Sequence, residues 1–221
     1  RDDVMTSIFD NYPWLDKLQF CKLVEQIADY GTEGGSYGET KHGGVRMLQH
    51  PTELALLVCW LKRLNLPYDS FLEIGLAHGG TSRVLNDIFK FKKHCAVDCN
   101  ESGMTEGREE NLAGTNIDVW IGNSHSEDFY KKLRSWDTMF DLVHIDGDHS
   151  YEGALQDLIM VGTRCRYDSR VFMHDTEHID GLKKLRTEIR DKKIPLLRWL
   201  HEEFHASGGG LGITCFTWET E

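Results

Sequence analysis

Two hydrophobic rhythms divide the chain near residue 66. From Trp14 to Tyr30, the apolar residues Leu15, Leu18, Val24 and Ile27 follow the period of an amphipathic helix. The stretch Gly31–Gly44 holds six glycines and reads as a loop, either a linker or a lid that orders over a ligand. Pro51 then stands where a helix can begin, ahead of the run Glu53–Leu64. After Asn65-Leu66-Pro67 the pattern changes. Short apolar runs recur at Ser70–Ile74, His94–Val97, Ile117–Ile121, Phe140–Ile145, Arg170–Met173 and Leu196–Leu200, most of them separated by stretches long enough for a crossover helix. That alternation predicts a parallel sheet covered by helices on both faces. A last strand, Leu211–Trp218, follows Ser207-Gly208-Gly209-Gly210 with no helix between, which predicts a terminal antiparallel pair with Leu196–Leu200. The reading is one compact α/β domain, with residues 1–66 as a helical and lid segment and 67–221 as its core.

Composition narrows the partners. The net charge of −11, from 36 acidic and 25 basic residues, argues against a nucleic acid, whose phosphates call for clustered cations. The basic stretch Lys183–Lys193 is interleaved with Glu188 and Asp191 and reads as a solvated helix face. No apolar run approaches the roughly 20 residues of a membrane span, and Arg1–Asp10 lacks the apolar core of a signal peptide. The six cysteines form no CxxC pair and lie mostly in apolar segments, which suggests buried thiols in a reducing, cytoplasmic setting. A homo-oligomer stays open.

The first strand of the alternating region runs into Glu73-Ile74-Gly75-Leu76-Ala77-His78-Gly79-Gly80-Thr81-Ser82. Small residues at Gly75, Ala77 and Gly79 let a strand-to-helix turn approach a ligand closely. The spacing is not the G-x-G-x-x-G that seats a pyrophosphate. Instead Glu73 precedes the first glycine by two, a carboxylate suited to a cationic amino group such as that of a methionine moiety. Asp98 ends the second strand, 25 residues beyond Glu73, where an acid can accept hydrogen bonds from both ribose hydroxyls; a helix-capping role is the alternative. The third strand ends in Gly122-Asn123-Ser124, and Ser124 is a candidate for the adenine edge.

The segment Phe140–Glu152 carries the most chemistry: a buried strand runs straight into Asp146-Gly147-Asp148-His149 and then a helix. The next strand ends in His174-Asp175. Carboxyl ends of parallel strands bind ligands, so the two tips together offer Asp146, His174 and Asp175 as ligands for Mg²⁺ or another divalent cation. Such an ion would lower the pKa of an acceptor hydroxyl, and His149 would take its proton. Asp148 has a second reading as the cap of the helix near Tyr151, and His144 reads as a packing histidine.

With these residues in place the chain resembles the class I S-adenosylmethionine-dependent methyltransferases. Within them it is similar to a subgroup sharing the Asp146–Glu152 segment, which includes sugar and natural-product O-methyltransferases and cephalosporin hydroxylase-like proteins. The resemblance covers residues 45 to 218 and includes the leading segment Gly44–Leu54. It implies a Rossmann-like doubly wound sheet of order 3-2-1-4-5-7-6 with strand 7 antiparallel, and S-adenosylmethionine lying over strands 1 and 2. It also implies Asp146 and an acidic pair after strand 5 as metal ligands, with His149 as general base. Here that pair is His174-Asp175, so one carboxylate is replaced by imidazole, which weakens the case for Mg²⁺. The expected reaction is transfer of a methyl group to a hydroxyl of a sugar or small molecule. The rivals are a nicotinamide-dependent oxidoreductase on a similar fold and a cofactor-binding protein without activity. The flanking residues Tyr37, His42, Trp199, His201, Phe204 and His205 are candidates for an acceptor pocket.

Overall fold

The computed structural model describes residues 2–30, 47, 49–194, 197–204 and 212–218. Three helices precede the sheet: α1 (Asp2–Asn11), α2 (Lys17–Ala28) and α3 (Pro51–Leu64). The sequence pattern does not mark α1. α2 starts where Asp16 accepts a hydrogen bond from the Gln19 N–H, so its cap falls inside the Trp14–Tyr30 run. α3 begins with Pro51 in its first turn, as expected, and closes at Asn65 in the left-handed region.

From Ser70 onward, strand and helix alternate: β1 (Ser70–Ile74), α4 (Gly80–Phe89), β2 (Lys93–Asp98), α5 (Arg108–Leu112), β3 (Ile117–Ile121), α6 (Glu127–Ser135), β4 (Phe140–Ile145), α7 (Tyr151–Gly162), β5 (Cys165–Met173) and α8 (Asp180–Arg190). Two strands close the chain, β6 (Leu197–Phe204) and β7 (Ile213–Trp218). The sheet order is β3-β2-β1-β4-β5-β7-β6, with β7 antiparallel to both neighbours, as the resemblance implies. β5 starts five residues earlier than its apolar run. Its first half is polar and partly exposed, and the pairing with β4 shifts between Phe140 and Leu142, so hydrophobicity does not reveal it. No helix among the described residues is long and apolar enough to cross a membrane.

Strand alternation sorts the core into two halves. Phe71, Leu142 and Phe172 face α1 to α4, joined there by Val84, Leu85, Leu56 and Phe20. Leu72, Ile74, Val143, Ile145 and Val171 face α6 to α8, joined by Phe129, Leu158 and Leu185. The basic stretch Lys183–Lys193 spans most of α8, whose Leu182, Leu185 and Ile189 are buried and whose Lys184 and Arg190 are exposed, while Arg186 is largely buried and paired with Glu177. With both faces covered, the open ground is the line of strand tips, where loops leave the sheet for the helices.

Candidate active site

The carboxyl ends of β1 to β5 open on a cavity of about 650 Å³. Gly75, Ala77, Asp98, Ser124, Asp146, His149, His174 and Asp175 all line it, so eight residues expected at the site converge there from five strand tips. Gly75 owes its identity to the neighbouring strand. At φ +91°, an added Cβ would lie 2.0 Å from the backbone oxygen of Asp146, so the tips of β1 and β4 can meet only around a glycine.

Asp98 ends β2 and is 7% exposed. Its Oδ2 accepts from the Ala77 N–H at 2.8 Å and its Oδ1 from the Asn100 N–H at 2.6 Å. These bonds fix the carboxyl and leave lone pairs over for a ligand. Ser124 and His125 form the wall beyond β3. Behind them, on α7, Asp157 is wholly buried, 3.2 Å from His125 Nε2. Burial pushes the Asp157 carboxyl up to about 6, against the opposing effects of Ser124 and His125. Nothing in the local sequence marks Asp157, because a single Asp in a helix reads as solvated.

Glu73 takes a different place from the one its position two before Gly75 suggests. In the parallel register it stands beside His144, so both side chains leave the same face of the sheet. His144 Nδ1 donates to Glu73 Oε1 at 2.8 Å, Ser82 Oγ donates to Oε2, and His94 Nε2 lies 2.9 Å from Ser82 Oγ. Glu73 is 1% exposed and reaches only a small void of about 20 Å³, shared with Thr81, Gln49 and Asp146. Ser82 is buried against Glu73, and Gly79 caps α4; neither lines either cavity. His144 is fully buried and stacks on Phe172 at 4.3 Å, in keeping with its packing reading.

The second half of the cavity is a cluster around Asp146. Its Oδ1 lies 3.1 Å from His149 Nε2 and 3.6 Å from His174 Nδ1, while Gln49 Nε2 donates to its Oδ2 at 3.0 Å. Burial would push the Asp146 carboxyl up, but the charges and bonds of His174 and His149, with His144 behind them, hold it well below the usual carboxylate range. The hydrogen bond to Asp146 raises His149, against the effect of burial. Asp175, after β5, lies 3.7 Å from His149 Nε2, and burial raises its carboxyl. Single ligand atoms of Asp146, His149 and Asp175 fall within 4.8 Å of one another. That set holds His149 where Asp146, His174 and Asp175 were expected, but His174 is also at hand: 3% exposed, its Nδ1 lies 3.6 Å from Asp146 Oδ1 and 3.4 Å from Asp175 Oδ1. Asp148 is not the cap of α7. Its Oδ1 accepts from the Ser150 N–H, and Ser150 itself caps the helix through Gly153. Gln49 was missed because a lone glutamine before a helix carries no signal of its own.

The glycine-rich stretch Gly31–Gly44, with Tyr37 and His42, lies outside the described residues, as do His205 and the side chains of Trp199 and His201. Phe204 is a core residue, fully buried and 5.9 Å from Trp60, and does not line the cavity.

Residues 72–176, which span β1 to the tip of β5, match a family model described as a methyltransferase domain. Solved structures share the fold of this chain at low identity. The O-methyltransferase TomG from Streptomyces achromogenes, in complex with SAM, is 16% identical with a TM-score of 0.59, over 80% of this chain and 83% of that one. An O-methyltransferase from Bacillus cereus, in complex with SAH, is 12% identical with a TM-score of 0.56, over 96% of each chain. A ribosomal protein L11 methylase from Lactobacillus delbrueckii subsp. bulgaricus is 17% identical with a TM-score of 0.55, over 80% and 84%. No curated protein matches the chain by sequence.

Proposed function

We propose that this protein is a methyltransferase that moves the methyl group of S-adenosylmethionine onto a hydroxyl oxygen of a sugar or another small molecule. The observation that carries the reading is that Asp98 and the Asp146–His149 pair face one cavity, of a size suited to cofactor-like ligands. Similar folds hold this donor or its demethylated product. In this reading Asp98 takes the ribose hydroxyls, Ser124 meets the adenine edge, and the glycine loop lies along the methionine portion. Glu73, tied up by Ser82 and His144, supports the loop from below.

The reaction is an in-line displacement. A lone pair of the acceptor oxygen attacks the methyl carbon, and the carbon–sulfur bond breaks with its electrons returning to sulfur. The sulfonium is already an activated donor, so alignment and removal of one proton are what the protein supplies. His149 turns Nε2 to the Asp146 carboxylate, and the tautomer that donates there keeps its lone pair on Nδ1. Nδ1 is the proposed base for the acceptor proton.

The cluster also fits a divalent cation, held by Asp146, His149 and Asp175. Among the described residues, Asp175 Oδ1 is buried without a hydrogen bond, and two carboxylates with one imidazole suit Mn²⁺ or Zn²⁺ better than Mg²⁺. When bound, the ion would polarise the acceptor oxygen and lower its pKa. A cation on His149 Nε2 replaces the N–H that Asp146 accepts, so the two roles of His149 exclude one another.

Transfer of labelled methyl from S-adenosylmethionine to a panel of sugars and small alcohols tests the reading. Calorimetry with S-adenosylmethionine and NAD sets it against the oxidoreductase, and binding of NAD alone overturns it. EDTA treatment separates the two roles of His149. If full activity persists and added Mn²⁺ leaves the melting temperature unmoved, the cation has no part in it.

A further inference from the structure

The contacts around Asp98 converge on one buried cation that sequence reading does not single out. Arg108, the first residue of α5, is 9% exposed. Its guanidinium divides its nitrogens among three partners on two segments. Nε donates to the Ala77 carbonyl at 2.5 Å, Nη1 donates to Asn100 Oδ1 at 2.6 Å, and Nη2 lies 3.2 Å from Asp98 Oδ2. Ala77 and Asn100 are both non-glycine residues in the left-handed region, at φ 46° and 63°, where L residues rarely stay without support. Asp98 holds the backbone N–H of each, and Arg108 holds the carbonyl of one and the side chain of the other. The same segment is tied to the glycine loop again, through Asn111 Nδ2 to the His78 carbonyl at 2.7 Å and His78 Nδ1 to the Glu106 carbonyl at 2.8 Å. Arg108 does not line the cavity.

We propose that Arg108 is a positioning residue for recognition of the cofactor's ribose. It locks Asp98 and the two loops beside it, so that the carboxyl's remaining lone pairs stay aimed into the cavity. The proposal rests on Asp98 being the ribose-binding acid. Only a planar fork serves three partners at fixed angles, and a lysine ammonium at the same place would reach one of them.

Calorimetry with S-adenosylhomocysteine and its 2′-deoxyribose counterpart tests this, on the wild type, Arg108→Lys, Arg108→Gln and Asp98→Asn, with thermal melting as a check of folding. The wild type should prefer the ribose form about tenfold or more, which is the worth of one or two good hydrogen bonds. Arg108→Lys should lose about that factor toward the ribose form and little toward the deoxy form. Should the Arg108 variants fail to fold, Asn100→Gly removes one arm of the clamp and relieves the left-handed backbone. It should then lose affinity for the ribose form alone. Equal losses for both ligands, or a lysine variant that binds like the wild type, overturn the proposal while sparing the ribose reading. A wild type that does not distinguish the two ligands overturns the ribose reading and the proposal with it.

Discussion

Single residues carry this site through the partners they are given. His149 is an ordinary imidazole until Asp146 takes one of its nitrogens, and Asp146 stays ionised because imidazoles surround it. His149→Ala should lower the rate of methyl transfer by roughly 10²- to 10⁴-fold, the usual worth of a general base, with donor affinity kept. Comparing single-turnover rates with donor binding checks both halves of that statement. Glu73 makes the opposite prediction. Its carboxyl oxygens are bonded to Ser82 and His144 beneath the cavity, so Glu73→Gln should cost about 1–3 kcal/mol of stability and leave donor affinity nearly unchanged. Urea unfolding read beside calorimetry decides it. A large affinity loss at unchanged stability would put that carboxyl at the ligand.

Elements bring these residues together through turns and caps that tolerate little change. Gly75 allows the tip of β1 to lie against Asp146, and a methyl group there would overlap the Asp146 backbone oxygen at a positive φ. Gly75→Ala should therefore destabilise the protein by about 3 kcal/mol or more, through strain and overpacking together. Ser150→Ala removes only the cap of α7 and should cost about 1 kcal/mol. Denaturant midpoints measured side by side check the order. If the two variants are equally stable, the close approach of β1 and β4 is not what selects the glycine.

The whole molecule responds to pH through groups buried far from one another. His94 is 2% exposed between Phe71 and Phe91, and burial lowers its pKa to about 3 from 6.5. The unfolded chain binds that proton first, so stability falls as pH drops from 6.5 toward 3, by about 1.4 kcal/mol per pH unit. Asp157 acts in the other direction. Its folded-state value of about 6 lies above the ordinary 3.8, so its contribution is present below 3.8 and is lost as pH rises through 6. The two oppose each other across that window. The difference in unfolding free energy between wild type and His94→Gln isolates the histidine, and it should vary with pH only below 6.5. A difference that is flat from pH 4 to pH 7 would mean that His94 is not held neutral in the core.

The sequence by itself determined the sheet. Runs such as Phe140–Ile145 are too short and too apolar to lie anywhere but between helices, and polar residues at their carboxyl ends mark the site. Asp98, Asp146, His149 and Asp175 were legible for that reason, since a charge at the end of a buried strand has few other reasons to be there. What only the tertiary structure decided is which of these groups meet and which way they point. Glu73 and His144 share a face because β1 and β4 pair in register, and a register over 71 residues leaves no mark in local pattern. Gln49, Asp157 and Arg108 have no local signature either, since each takes its role from groups brought near by strand order and helix packing. The gathering of His149 and His174 about the two carboxylates has the same cause. Hydrophobic periodicity places backbones, whereas the distances between side chains from different strands are set by how the sheet closes around them.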